Sequence, residues 1–315
     1  MTAAPLRVLG PRGHDYTGLA ELLKGFAGER AVFVANPGNA GDALINLGMY
    51  ELFRTIGLDW EEGDFEGTYP GRVVIFSGGG ALLDIYPGAD RFFLRNHPVA
   101  KALVLLPHTV RGYPGLLGAM GPNCHLFARE AQTRDYLAAH ATGGARLYYS
   151  HDLAFYMSDA KIARQRLDWP FLMHPTIRGP WARMAVKIVM TAQTRGGVLH
   201  AIRSDAEATG VAVPPDNYDL SQLFSSAHLM RTGQHMSPGV CASTIRVLRM
   251  LVRRFDRVET NRLHMAVLSA ILGKPVLMMD NSYGKNRGIY ERSIEGRYPN
   301  VTFLQAPPAQ ADPAA

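Results

Sequence analysis

The feature that most constrains the fold is an alternation of short apolar segments with longer amphipathic ones. Residues 30–35 (RAVFVA) are typical of a buried strand, and residues 43–57 carry apolar side chains at helical spacing on one face. Three more strands are predicted at residues 73–77, 102–106 and 125–129. A helix is predicted over residues 130–139. Strands that alternate with helices indicate a parallel sheet covered on both faces.

The alternation stops between residues 157 and 196, where prolines interrupt it, and resumes at residue 197. The second series comprises strands at residues 197–203, 257–260 and 275–279 and helices at residues 242–254 and 262–272. At roughly 150 residues per domain, the length allows two domains. We expect α/β domains over residues 1–165 and 166–304, followed by a flexible tail over 305–315. Two such domains usually form a ligand-binding cleft where the carboxyl ends of their strands meet.

Composition excludes several classes of protein. A net charge of +6 over 315 residues favours anionic partners only mildly. The sequence has no apolar run of the roughly 18 residues that span a membrane, and no secretory signal at its N-terminus, so we expect a cytoplasmic protein. Cys124 and Cys241 are too few for a disulfide framework or a cysteine-based zinc cluster. Metal-ligand spacings and nucleic-acid motifs are absent from the sequence, so we expect no metal site and no nucleic-acid partner.

A glycine-containing loop, NPGNAGD, follows the first predicted strand. Gly41 allows a ligand to approach the backbone closely, and Asn39 lies two residues before it. The start of the next helix offers unpaired N–H groups at the same place. Asp42 fits as the helix cap or as an acceptor from sugar hydroxyls. The alternative is a tight turn with a cap and no ligand.

Small or polar residues also follow the later strands of the first half. They are Gly79, Gly80, His108, Thr109, Arg129, Glu130 and His151. Each can be explained as an ordinary turn residue or as a hydrogen-bonded surface residue. Their recurrence after successive strands favours one ligand site, because the carboxyl ends of parallel strands meet at one edge of a sheet.

Arginines follow two predicted strands of the second half. Arg203 can present a planar fork to a carboxylate or phosphate, or it can pair with Asp205 or Glu207 at the surface. With Thr260 or Asn261 as the cap, Arg262 and His264 fall in the first turn of the next helix, where free N–H groups attract an anion. An arginine there is locally unfavourable, which favours a bound anion.

A turn at the end of the following strand carries Asn281, Ser282 and Lys285. Lys285 supplies a further positive group beside the Arg262 segment, unless it is simply an exposed lysine on a turn. Arg203, Arg262 and Lys285 are therefore expected to converge on one small anionic molecule.

The predicted helix at residues 242–254 is basic and amphipathic. Arg246, Arg249 and Arg253 lie off its apolar face. Most such helices present a solvated face, while a minority dock on anionic membrane surfaces.

Nine short motifs occur in an order that resembles the polysaccharide pyruvyl transferase family. They are GNAGD (38–42), SGGG (77–80), LPHT (106–109), FARE (127–130), HDLAF (151–155), RSDAE (203–207), TNRLH (260–264), LGKPV (272–276) and NSYGK (281–285). Each is short, so the specificity comes from their order across residues 33–292. Two positions depart from the family pattern, since His108 stands where glutamine is common and Met265 where glycine is usual.

The resemblance implies a fold of two Rossmann-like domains facing a central cleft, similar to GT-B glycosyltransferases. It also implies transfer from phosphoenolpyruvate to a sugar of a bacterial exopolysaccharide or of its lipid-linked precursor, which forms a pyruvate ketal. The family's positions place the donor at Arg203, Arg262 and His264, in the C-terminal domain. That assignment leaves the N-terminal domain to the acceptor, and contact with an anionic membrane surface would suit a lipid-linked acceptor. No cofactor is required beyond the donor substrate.

Ketal formation needs an acid that protonates the methylene carbon and a base that takes the proton of a sugar hydroxyl. His264 is the candidate acid, with Arg262 beside it. The candidate bases are Asp42, His108, Glu130 and His151, and the residues alone do not choose among them. The alternatives are a GT-B-type sugar-nucleotide glycosyltransferase and a noncatalytic component of polysaccharide assembly that binds a glycan or phosphosugar.

Overall fold

The computed structural model describes residues 6–86, 88–179, 183, 197–222 and 235–304. Its first sheet has seven strands: β1 (Ala31–Val34), β2 (Trp60–Glu62), β3 (Val73–Phe76), β4 (Gly79–Leu83), β5 (Ala102–Arg111), β6 (Cys124–Ala128) and β7 (Arg146–Tyr149). Their order is β2-β1-β3-β5-β6-β7, and β4 pairs with the end of β5. Every pairing is parallel.

A second, smaller sheet is formed by the C-terminal half of the chain. Its four strands are β8 (Val198–Ala201), β9 (Arg257–Thr260), β10 (Val276–Met278) and β11 (Val301–Phe303). They are also all parallel, in the order β11-β10-β9-β8. The prediction of an α/β protein with parallel sheets is therefore confirmed.

Helices connect the strands. The described α-helices of the first half are α1 (Thr17–Lys24), α2 (Ala40–Ile56), α3 (Arg91–Asn96), α4 (Pro114–Ala119), α5 (Ala131–His140), α6 (Asp159–Ala163) and α7 (Trp169–Met173). Those of the second half are α8 (Pro238–Val252), α9 (Leu263–Ile271) and α10 (Lys285–Ile289). The described part also contains two 3₁₀ helices (Leu153–Tyr156 and Leu220–Gln222) and a short π-helix (Tyr290–Ile294). None of its helices is long and apolar enough to cross a membrane.

Helix α2 lies at the centre of the hydrophobic core. It packs against the 3₁₀ helix Leu153–Tyr156 of the first half and against α8 and α9 of the second. One buried cluster includes Phe53 of α2, Leu248 of α8 and Leu268 of α9. A second cluster covers the other face of the first sheet. The larger core therefore joins residues on both sides of position 165, and the domain limits drawn there remain a prediction.

Four helix starts differ from the prediction, and those of α5 and α8, at Ala131 and Pro238, are displaced by one and four residues. Helix α2 begins at Ala40, with Asn39 rather than Asp42 as its N-cap. Asp42 instead completes a capping box, in which its carboxylate accepts from the backbone N–H of Asn39. Helix α9 begins at Leu263, so Arg262 is the N-cap residue and lies just before the first turn.

The arginines of the basic helix α8 form hydrogen bonds and ion pairs within the chain. Arg249 donates to Asp159 at 2.6 Å, Arg253 pairs with the same carboxylate, and Arg246 donates to the Gln165 carbonyl at 2.7 Å. These three arginines attach α8 to the segment around α6, because α8 buries its apolar face and brings its flanks against that segment. Of the interrupted region, residues 180–182 and 184–196 lie outside the described part, as does the predicted tail.

Candidate functional site

A cavity of about 530 Å³ lies where strands of both sheets end. The first half lines it with the loop after β1, the start of β4, the loop after β4 and Arg129 after β6. The second half contributes the segment after β8, the 3₁₀ helix Leu220–Gln222 and the starts of α9 and α10. Ten of the predicted site residues line it: Asn39, Gly41, Asp42, Gly79, Gly80, Arg129, Arg203, Arg262, His264 and Lys285.

The loop after β1 is held in shape by Asp42. One of its carboxylate oxygens accepts from Asn36 Nδ2 at 2.8 Å, and the other accepts from the Asn39 N–H at 2.9 Å. The Asn39 side chain in turn accepts from the Gly41 N–H at 2.7 Å. A Cβ on Gly38 would lie 1.9 Å from the Asp42 carboxylate, so a larger residue there would displace that side chain. The loop is a rigid wall of the cavity that exposes an acidic group.

Beneath this wall, Arg129 is buried but still reaches the cavity. Its Nε donates to Thr109 Oγ1 at 2.9 Å and its Nη1 to Asp152 Oδ2 at 2.6 Å. A Cβ on Gly80 would lie 3.3 Å from its Nη2, so the missing side chain of Gly80 leaves room for the guanidinium. Thr109 thus acts below the cavity, as a residue that orients Arg129.

His264 and Asp152 meet across the two halves of the chain. His264 Nε2 lies 3.2 Å from Asp152 Oδ2, the oxygen that also accepts from Arg129. Burial alone would raise the pKa of Asp152, but the positive charges of His264 and Arg129 outweigh it and hold the pKa well below its usual range. An ionised carboxylate only accepts hydrogen bonds, so the proton of a neutral His264 ring is on Nε2. The other ring nitrogen, Nδ1, lies beside Gly41.

Besides Thr109, three predicted residues of the first half do not line the cavity. His108 is buried, and its Nε2 accepts from the Ala81 N–H at 2.9 Å. Burial, reinforced by the charge of Arg129, lowers its pKa to about 3, so His108 is neutral. His151 turns toward Ser293 Oγ at 2.9 Å. Glu130 pairs with Arg111 at 2.8 Å and lies beyond the cavity lining.

Arg203, Arg262 and Lys285 do line the same cavity, and each is paired with an acidic residue. Arg203 donates to Asp205 at 2.7 Å and to Glu207 at 2.6 Å. Arg262 Nη1 lies 2.7 Å from Asp205, and its Nε donates to Asp219 at 3.0 Å. These side chains are almost fully buried, so the cations are held in fixed positions by the carboxylates around them.

Glu207 is the central acceptor of this cluster. Its Oε2 accepts from Lys285 Nζ at 2.6 Å, from Tyr283 at 2.9 Å and from Asn281 Nδ2 at 3.1 Å, while Tyr86 of the first half donates to Oε1. Burial alone would raise the pKa of Glu207, but Lys285 and Arg203 hold it well below its usual range. Burial lowers the pKa of Lys285 to about 8, against the opposing effect of Glu207.

Asn281 and Ser282 support the cavity from outside its lining. The Asn281 side chain also accepts from the Lys285 N–H at 2.9 Å, which fixes the start of α10. Ser282 is exposed, and its backbone N–H donates to the Glu207 carbonyl at 3.2 Å. Both residues position the Glu207–Lys285 pair rather than facing the cavity.

Asp152, Asp219 and Tyr86 were not selected from the sequence as site residues, and Glu207 entered only as a surface partner of Arg203. Asp152 carried a signal, since it follows a predicted strand next to His151. Tyr86 and Asp219 lie in irregular segments, where no periodic pattern marks them. In the part of the chain that the structure describes, no group of three or more histidine, cysteine, aspartate or glutamate residues is arranged to hold a metal ion.

The fold is that of an α/β protein, and its cavity is lined by Arg129, Arg203, Arg262 and Lys285 together with acidic side chains. A sequence profile for the family described as polysaccharide pyruvyl transferase matches residues 39–283. The chain therefore belongs to the polysaccharide pyruvyl transferase family. It is a transferase of the pyruvyl group that acts on polysaccharides.

Two relatives extend this comparison. EpsO of Bacillus subtilis (strain 168), which is named provisionally as a pyruvyl transferase, is 22% identical in an alignment 303 residues long. That alignment covers 85% of this chain and 85% of EpsO. The crystal structure of an uncharacterized protein, KP1_0663, from Klebsiella pneumoniae subsp. pneumoniae NTUH-K2044 superposes with a TM-score of 0.70 at 24% identity. That match covers 92% of this chain and 98% of the other, and it shows the likeness of the fold alone.

Proposed function

We propose that the protein transfers the enolpyruvyl-derived group of phosphoenolpyruvate to a sugar of a bacterial exopolysaccharide or its lipid-linked precursor, forming a pyruvate ketal. The observation that carries this proposal is the placing of Arg203, Arg262, Lys285 and His264 in one cavity. Phosphoenolpyruvate carries a carboxylate and a phosphate on three carbons. Two guanidinium forks and an ammonium group in one small volume suit such a molecule.

The sugar acceptor binds to the wall of the cavity that the first half of the chain forms. The first half lines the cavity with Asn36, Asn39 and Asp42 and with the aromatic rings of Phe65 and Tyr86. Amide and carboxylate groups bind sugar hydroxyls, and aromatic rings pack on the apolar faces of sugar rings. This division corresponds to a GT-B-like arrangement, with an acceptor domain over residues 1–165 and a donor domain over residues 166–304.

Protonated His264 begins the reaction by giving its Nδ1 proton to the methylene carbon of the donor, which becomes a methyl group. The adjacent carbon becomes oxocarbenium-like, and an acceptor hydroxyl attacks it. Asp152 stabilises the protonated imidazole and fixes the ring orientation through Nε2. Of the four candidate bases, Asp42 is the one that lines the cavity, so we assign to it the proton of the attacking hydroxyl.

Phosphate then leaves the tetrahedral carbon, and its departure regenerates an electrophilic centre. A second hydroxyl of the same sugar attacks that centre and loses its proton, which closes the ketal ring. Arg203, Arg262 and Lys285 stabilise the negative charge of the leaving phosphate. The sum is one phosphoenolpyruvate and one diol converted to one ketal and one inorganic phosphate, and this chemistry needs no cofactor.

We place the reaction in the cytoplasm, where phosphoenolpyruvate would be available as a substrate. Contact with an anionic membrane surface would bring the enzyme to a lipid-linked acceptor. Arg246, Arg249 and Arg253 are bonded within the chain, so their charges are less available for that contact than the sequence indicates.

The test is release of phosphate from phosphoenolpyruvate by purified protein over a panel of glycan acceptors, with mass spectrometry of the product. Arg262→Ala should raise the barrier by about 3 kcal/mol, as other deletions of charge-stabilising groups do. Near-normal activity of that variant at donor concentrations well below saturation would contradict the assignment. Thermal stabilisation by sugar nucleotides that exceeds stabilisation by phosphoenolpyruvate would favour a glycosyltransferase instead. Stable ligand binding without turnover would favour a noncatalytic role.

A further inference from the structure

Arg203 and Arg262 each have one carboxylate partner of their own, and they share a third carboxylate. Arg203 pairs with Glu207, and Arg262 pairs with Asp219. The Asp205 carboxylate lies between them, with Oδ1 2.7 Å from Arg203 Nε and Oδ2 2.7 Å from Arg262 Nη1. Its side chain is 36% exposed, against 6% for Glu207 and 17% for Asp219. Asp205 is thus the bridging carboxylate and the most accessible of the three.

The charges of this cluster are balanced without a ligand. Arg203, Arg262 and Lys285 face Asp205, Glu207 and Asp219. A ligand with both a carboxylate and a phosphate would bring at least two further negative charges into a partly buried space. Such an excess of buried charge is unfavourable unless an existing carboxylate withdraws.

Asp205 is placed so that it can withdraw. It lies in the segment between β8 and the 3₁₀ helix Leu220–Gln222, which has no helix or strand of its own. Its departure would break its contacts with the two arginines and the weak hydrogen bond from the Glu207 N–H at 3.2 Å. Glu207 and Asp219 would remain in contact with Arg203 and Arg262 and would keep both guanidinium groups in position.

We propose that Asp205 is an internal counter-anion, and that an oxyanion group of the donor binds by displacing its carboxylate from between Arg203 and Arg262. The inference rests on the proposed function for the identity of the donor, but the displacement applies to any small carboxylate or phosphate. Asp205 therefore sets a threshold for anion affinity. A ligand must contact both arginines to replace the three contacts that Asp205 makes with them.

The experiment measures the binding of inorganic phosphate and of phosphoenolpyruvate by isothermal titration calorimetry. Asp205→Asn keeps the size of the side chain and removes the competing charge, and Asp205→Ser serves as a second variant. We expect both to bind each anion roughly tenfold more tightly than the natural protein, a change of about 1.4 kcal/mol. The matched variant Asp219→Asn removes a carboxylate that stays in place, and we expect it to bind both anions more weakly.

Unchanged or weaker phosphate binding by both Asp205 variants would overturn the displacement. Equal tightening by Asp219→Asn would also overturn it, because the effect would then reflect net charge and not the bridging position. Tighter binding of phosphate without any binding of phosphoenolpyruvate would support the role of Asp205 and contradict phosphoenolpyruvate as the donor. The two proposals can therefore fail separately.

Discussion

Asp152 of the first half lies 3.2 Å from Nε2 of His264 in the second, although 112 residues separate them in the sequence. The same oxygen accepts from Arg129 at 2.6 Å. The candidate acid is therefore oriented by a carboxylate from the other half of the chain, so neither half contains a complete site. The pair also fixes which ring nitrogen faces the ligand, and this leads to the first prediction.

Asp152→Asn should reduce kcat between about 10-fold and 100-fold and change KM little, because the ring of His264 loses its fixed tautomer and its countercharge. Steady-state kinetics with phosphoenolpyruvate measure this split. The control is the same substitution in a His264→Gln background, where it should cost little further activity. Additive losses would show that Asp152 does not act through His264.

Gly41→Ala should impair catalysis by displacing His264. A Cβ at Gly41 would lie 2.8 Å from His264 Nδ1 and 3.1 Å from His264 Cβ, so the ring must move. We expect kcat to fall by about 100-fold, because small errors in position cost that much. Gly18→Ala is the matched control: it too is the second residue of a helix, with nothing within 4 Å of the added carbon. Equal activity of the two variants would contradict the placement of the ring.

The affinity for phosphoenolpyruvate should fall above about pH 8 in the natural protein. Burial lowers the pKa of Lys285 from 10.5 to about 8, so its ammonium group is charged below that pH and neutral above it. Calorimetric titrations across this range give the affinity. Lys285→Arg keeps its charge throughout and should show a flatter profile. The same decline in both proteins would assign the titration to another group.

Stability should fall as the pH drops below about 6.5. Burial lowers the pKa of His14 from 6.5 to about 4, and that of His151 to about 3. The unfolded chain binds these protons at higher pH than the folded one, so stability is complete above 6.5 and decreases toward 4. By pH 5 the loss from His14 alone should be about 2 kcal/mol.

Urea unfolding at several pH values measures this dependence. His14→Phe retains an aromatic ring against Phe155 and removes one titrating group. Its unfolding free energy should vary less with pH than that of the natural protein. An identical slope for both proteins would contradict the shifted pKa of His14.

Gly48→Ala should destabilise the fold by about 3 kcal/mol, because a Cβ there would lie 2.0 Å from the Leu153 carbonyl oxygen. Backbone on both sides leaves little room for relaxation, and helix α2 would have to separate from the 3₁₀ helix that it packs against. Chemical denaturation measures the loss. Gly18→Ala again serves as the control and should change stability by less than about 1 kcal/mol. A loss of similar size at both positions would mean that helix propensity, not packing, controls the result.

Much of the fold could be predicted from the sequence because buried parallel strands are short apolar runs. The run RAVFVA contains β1, and the predicted strands at residues 73–77, 102–106 and 125–129 overlap β3, β5 and β6. Strand β4 was not predicted, because it begins with Gly79 and Gly80, which favour a turn when the sequence is considered locally. The starts of α2 and α9 were displaced by up to three residues because several neighbouring side chains could serve as the cap.

The sequence predicted which strand ends form the site. It did not predict which side chains contact each other there. Arg203 illustrates the difference, since the sequence left open whether it binds an anion or pairs with Asp205 and Glu207. It pairs with both acids and also lines the cavity, so the pairing is confirmed and anion binding stays a prediction. Partners such as Asp152 and Tyr86 are brought in by the topology over more than a hundred residues, and no local pattern contains that information.

The central position of helix α2 has a consequence for protein engineering. The apolar sides of α2 pack on elements from both halves. A fragment that ends after the first sheet would therefore expose a broad apolar surface of this helix to solvent and would tend to aggregate. Chimaeras that take one half of the chain from a relative would have the same problem, because α2 would lose its native neighbours where the two halves join. Recombination to alter sugar preference should therefore exchange cavity loops and leave this helix with its native neighbours.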